Sequence, residues 1–170
     1  LLRFCFAPIP ISKTMMDIKS LRHMKAVAAE GGCVGLFPSG NGTFNGEEAY
    51  ISDSLGKLVK LLNAEVIIFN LEGLYFSAPR WAKSHRKGYS SGRIITRIDV
   101  EQIKKMTDAE LSAAIISTLK TSAYKIQGDE KRVYTGRDTA MYLERVLYTC
   151  PNCKSRNTMK SDHDRFYCKS

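Results

Sequence analysis

Cys33-Val34-Gly35-Leu36-Phe37-Pro38-Ser39-Gly40-Asn41-Gly42-Thr43 is the stretch from which the architecture is read. Its first five residues form an apolar run of strand length, and the block after them is rich in glycine. A helical segment is predicted over 47–62, where Ala49, Ile51, Leu55, Leu58, Val59 and Leu62 give a broad apolar face. A strand that empties into a glycine-rich loop and then a helix turns backbone N–H groups and a positive helix end toward an anion. Taken alone, such a loop is more often a plain tight turn. The chain beyond residue 64 strengthens the anion reading.

Residues 65–71 (Glu-Val-Ile-Ile-Phe-Asn-Leu) read as a second strand, too continuously apolar to face water on one side. Strand, helix and strand make a β-α-β unit, so the two strands are expected to be parallel and linked right-handedly. Parallel strands deliver their outgoing loops to one sheet edge, where ligands bind in open α/β sheets. The loops 38–46 and 72–90 are therefore expected to converge. The second of them opens a basic segment: Arg80, Lys83, Arg86, Lys87, Arg93 and Arg97 precede the next acid, Asp99. Phosphates, anionic lipid surfaces and nucleic acid all suit such a segment, and so does a solvated basic loop.

Outward from this unit the signals are local. Thr14-Met15-Met16-Asp17 resembles a capping box, with Ile18, Leu21, Met24 and Ala28 at helical spacing after it until Gly31-Gly32. Gly92 to Asp99 is a third candidate strand. Thr107-Asp108-Ala109-Glu110 opens a helix expected over 108–125, and a last short helix is expected over 138–147. The fold class is thus α/β: a mostly parallel sheet flanked by helices over 1–148, with a small cysteine-bearing appendage over 149–170.

The 170 residues suit one such domain, and the formal net charge is +9. No apolar run approaches the ~20 residues of a bilayer-spanning helix, and the front shows no secretory pattern. Cys5 and Cys33 sit in apolar surroundings. Cys150-Pro-Asn-Cys153 forms a knuckle, with Cys168 further on. An odd cysteine count without a secretory signal points to a reducing compartment and to metal rather than disulfides. Cys150, Cys153 and Cys168 read as three of the four thiolates of a zinc ribbon in preference to a redox motif, and a fourth is expected directly after Ser170. His163, inside the loop, is a poor substitute.

Taken together, these blocks resemble the glycerol-phosphate acyltransferase superfamily, in particular bacterial 1-acylglycerol-3-phosphate acyltransferases of the subset that ends in a zinc ribbon. Phe37, Pro38 and Gly40 match the Phe-Pro-Glu-Gly-Thr-Arg-Ser block, and Thr43 replaces its Ser. Ser39, Asn41 and Gly42 stand where Glu, Thr and Arg are usual. Pro8-Ile9-Pro10-Ile11-Ser12-Lys13 is similar to the second block, Val66-Ile67-Ile68 to the fourth, and Lys57 to the lysine that comes after the glycine block. The resemblance implies a partial acyltransferase fold and transfer of an acyl group from an acyl carrier protein or coenzyme A thioester to a lysophospholipid, in phospholipid biosynthesis. It implies an acceptor site at Lys13, Phe37, Pro38, Ser39, Gly40, Asn41, Gly42, Thr43, Lys57 and Arg80, no catalytic cofactor, and a cytoplasmic, peripheral place on an anionic inner leaflet.

The superfamily's catalytic pair is His-x4-Asp, in which the His takes the proton of the acceptor hydroxyl. Five residues after His23, His85 and His163 stand Ala28, Ser90 and Cys168. The pair is expected before Leu1, in a longer protein, and the chain by itself is expected to be inactive. Two other readings stand beside this one: a basic zinc-ribbon module that binds nucleic acid, and an acyltransferase relative that has lost activity.

Overall fold

Asp17 starts the first described helix: its side chain accepts from the Ser20 backbone N–H at 3.0 Å, as an N-cap does. The computed structural model describes residues 8–9, 17–47 and 49–170. Two compact units divide the chain. The first comprises 1–38, 51–67 and 96–117; the second comprises 39–50, 68–95 and 118–170.

In the first unit, α1 (Ile18–Ala29) packs on α2 (Leu55–Leu62). Ser20 and Met24, one turn apart, are buried on α1, which ends where Gly31 turns to φ +77°. The helix expected over 47–62 begins only at Leu55. Its start is set by α5 (Asp108–Leu119). A Cβ on Gly56 would lie 2.1 Å from the Asp108 carbonyl oxygen, so only glycine admits this approach. The Gly56 N–H donates to Ser112 Oγ at 2.8 Å, and that hydroxyl donates to the Asp53 carbonyl at 2.6 Å. α4 (Val100–Lys105) carries a full capping box between Asp99 and Gln102, and Thr107 with Glu110 forms another at α5. Leu55, Val59, Ile103, Leu111 and Ile115 form the core with Met24.

Strand β1 (Val66–Glu72) pairs with β3 (Ser91–Ile98) in a two-stranded ribbon, and the unit boundary falls within both strands. Glu65 meets Arg97 at 3.6 Å beside one end of the ribbon and Glu72 meets Arg93 at 2.7 Å toward the other, the order an antiparallel pair requires. Only Ile68 and Glu72 of β1 are buried, while Ile67, Phe69 and Leu71 face solvent. The expectation of a strand covered on both sides is therefore corrected.

The second unit adds α3 (Leu74–Ser77), α6 (Ala123–Glu130) and the short antiparallel pair β2 (Lys87–Gly88) with β4 (Tyr134–Thr135). Tyr75, Phe76, Tyr124 and Tyr134 pack ring to ring, three of the contacts edge-on. Trp81, 4% exposed, donates its indole N–H to Tyr75 Oη at 3.2 Å. The helix expected over 108–125 stops at Leu119, because Ser122 caps a new helix by accepting from Lys125 N–H. Of the helix expected over 138–147, only the 3-10 turn Leu143–Arg145 forms. The chain ends in the antiparallel hairpin β5 (Met159–Asp162) and β6 (Arg165–Cys168).

The mixed α and β content is as expected, but the parallel sheet is not. The described strands form three small sheets of two strands each, with no parallel sheet among the described residues. The reason lies at 33–37. Gly35 leaves a gap in the run, Phe37 is 79% exposed, and the segment forms no strand. A short apolar run becomes a strand only with a neighbour to pair with.

Candidate metal centre and glycine loop

The three terminal cysteines converge. The Sγ atoms of Cys150, Cys153 and Cys168 lie within 4.8 Å of one another, and those of Cys153 and Cys168 are 3.7 Å apart. Tetrahedral thiolates ~2.3 Å from zinc would sit ~3.8 Å from each other, so the three sulfurs are placed to serve as three of the four ligands of such an ion, and no fourth Cys, His, Asp or Glu joins them among the described residues. The knuckle turns because Lys154 adopts φ +59°, with its N–H on the Cys150 carbonyl at 3.1 Å. The backbone N–H groups of Cys153 and Asn152 point at the Cys150 sulfur, and that of Ser155 points at Cys153. N–H groups aimed at sulfur favour thiolate. Cys153 is drawn down to about 6, chiefly by Ser155. Cys168 is lowered, first by the Thr158 hydroxyl. Cys150 also feels its two N–H donors, yet burial and the neighbouring thiols leave it above the ordinary thiol range. Ser170 reaches both Cys153 and Cys168. His163 belongs elsewhere: its Nδ1 bonds to Asp138, at the hairpin turn.

The glycine loop is built by its own short-range bonds. Ser39 Oγ donates to the Asn41 carbonyl at 3.0 Å, and Gly40 sits at φ +65°, where a side chain is strained. Thr43 Oγ1 accepts from Gly46 N–H at 3.0 Å and donates to Asn45 Oδ1 at 3.1 Å. Gly46, at φ +86°, lies so close to Tyr75 and Tyr124 that a Cβ would approach both within 2.8 Å. The Ala123 N–H donates to its carbonyl at 3.0 Å. A basic residue enters this loop: Arg80 Nη1 donates to the Gly42 carbonyl at 3.0 Å. Its Cδ stands 3.9 Å from where a Gly42 Cβ would be.

Of the residues singled out by sequence, the structure thus joins Gly42 with Arg80 and gathers the three cysteines. Phe37 and Pro38 belong to the first unit, and Lys57 is exposed there on α2. Lys13 lies outside the described residues. A shallow cavity of about 600 Å³ is lined by Asp162, Arg165, Phe166 and Tyr167, none of them a candidate by sequence.

Three constellations escape a reading of the sequence. Glu72, 6% exposed, takes Arg93 Nη2 at 2.7 Å and Arg132 Nη2 at 3.2 Å, while Arg132 lies over the Tyr89 ring. His163 pairs with Asp138 beside Asp164, which accepts from the Thr139 N–H and hydroxyl. Lys83 and Arg145 both lie over Tyr142, and Arg86 lies over Trp81. An acid that closes an apolar strand is the signal for the first. The other two bring together residues from separate segments of the chain, which no local pattern reports.

Comparison of the chain with protein-family models, with curated proteins and with solved structures finds no match. No helix among the described residues is long and apolar enough to cross a membrane.

Proposed function

We propose that this chain is the acceptor-binding part of an O-acyltransferase that esterifies a lysophospholipid, with a thiolate-metal knuckle as a structural appendage. One observation carries the reading. The block resembling the acyltransferase signature lacks its arginine at Gly42, and a guanidinium reaches that same residue from Arg80. An arginine there supplies the planar, permanent charge that a phosphate headgroup needs, which a glycine cannot.

In this mechanism Arg80 and the 39–43 loop hold the acceptor's phosphate and orient its free hydroxyl. Their contribution is positioning and charge neutralisation. The acyl donor is an acyl carrier protein or coenzyme A thioester. Cys150, Cys153 and Cys168 would hold a zinc ion, which would tie the hairpin and take no part in the reaction. None of His23, His85 and His163 has an aspartate five residues on, so no residue of this chain is assigned as the base, and the purified 170 residues are expected to transfer no acyl group by themselves.

The test is genetic and direct. The whole gene that encodes this chain, not the 170-residue piece alone, is expected to restore growth to a bacterial strain whose own 1-acylglycerol-3-phosphate acyltransferase is temperature-sensitive. Arg80→Ala abolishes rescue at equal protein level, and Arg80→Lys restores it weakly. Failure of the unaltered gene to rescue, or full rescue by Arg80→Ala, overturns the reading.

A further inference from the structure

Tyr142 is held in the left-handed backbone region, φ +71°, which a non-glycine residue rarely adopts. Its N–H is fixed on Ser161 Oγ at 2.8 Å. What the strained residue presents is a ring that carries two cations. Lys83 Nζ lies 4.9 Å from its centroid and Arg145 Cζ lies 4.3 Å from it. Arg145 also donates to the Trp81 carbonyl at 3.4 Å. Both cations are exposed, and neither has a carboxylate partner among the described residues. Two like charges gathered on one ring repel each other, and an anion relieves them. Within three residues of Arg145 stand Leu147 and Tyr148, 50% and 52% exposed.

We infer that Lys83, Tyr142, Arg145, Leu147 and Tyr148 form a docking surface for an anionic phospholipid leaflet. Cations beside an exposed aliphatic and an exposed tyrosine match the headgroup zone, where charge meets phosphate and an amphipathic ring sits at the apolar boundary. Nucleic acid fits less well. Single strands stack their bases on open aromatic faces. Tyr142 is already engaged by its two cations, and Trp81 is buried under Arg86. The surface rests on the lipid reading and deepens it, placing the membrane contact at the 142–148 segment with Lys83, apart from the Arg80 loop.

The test is co-sedimentation of the whole chain with vesicles of equal phosphatidylglycerol and phosphatidylcholine, with pure phosphatidylcholine vesicles as the reference. Lys83→Gln with Arg145→Gln is expected to weaken binding about 30-fold, at roughly 1 kcal/mol per basic residue near the surface. Leu147→Asn is expected to weaken it further without changing its salt dependence. Equal binding to both vesicle types, full retention by the double variant, or tighter binding to an oligonucleotide than to vesicles overturns the inference. The two proposals separate cleanly. Vesicle binding without growth rescue removes the enzymatic reading alone, and rescue without vesicle binding removes this surface alone.

Discussion

Glu72 shows how much a single side chain can decide. Its carboxylate is buried and answers Arg132, itself almost wholly covered, and the more exposed Arg93. Without Glu72, Arg132 keeps its second partner, Glu130, and Arg93 is left to water. Glu72→Ala is expected to lower unfolding free energy by about 1–2 kcal/mol, less than a fully broken buried pair costs. Glu72→Gln, which keeps hydrogen bonding, is expected to fall between. Urea unfolding measures both.

His163 makes the complementary case at the surface. Its bond to Asp138, with Asp162 and Asp164 nearby, raises it above its ordinary 6.5. The folded form therefore holds the proton more tightly than the unfolded one. The stability this contributes is complete below pH ~6.5 and is lost as pH rises through the raised folded value. The melting temperature is expected to fall from about pH 6 toward pH 8, and His163→Gln is expected to flatten that part of the profile. An unchanged slope in the variant would assign the pH dependence elsewhere.

At the scale of elements, caps and glycines are legible and pairing is not. α1 ends and α5 begins close to where Gly31, Thr107 and Glu110 direct them, because a cap acts within one turn, while Asp17 itself caps α1 and the Thr14 of the expected box lies outside the described residues. The cysteine knuckle is legible for the same reason. The segment 33–37 is not, because a strand depends on a neighbour that its own residues do not specify. Ser122 is a cap signal within reach of sequence reasoning, yet the continuous apolar pattern before it masks the break. The knuckle carries this scale's prediction. Cobalt(II) added to the reduced chain is expected to give an intense sulfur-to-metal absorption band, which Cys153→Ser weakens or abolishes. Chelation is expected to speed amide exchange across β5 and β6 while leaving α1, α2, α4 and α5 protected. Uniform loosening of all elements would show that the metal supports more than the hairpin.

At the scale of the whole molecule, composition indicates a basic protein and location requires coordinates. The six cations of 80–97 look like one segment in sequence. In space five of them take separate partners: Arg80 the glycine loop, Lys83 Tyr142, Arg86 Trp81, Arg93 Glu72 and Arg97 Glu65. Two of the five serve ion pairs, so the charge free to meet a ligand is smaller than the formal total implies. The meeting of the two loops is legible, although the sheet invoked to explain it is not. The β1–β3 ribbon has a practical consequence of its own. Phe69, Leu71, Ile94 and Ile95 stand in water on adjacent strands, and such oily patches seek cover. Copies of the chain are expected to cover one another there, so dilution is as much a variable of each adsorption experiment as ionic strength.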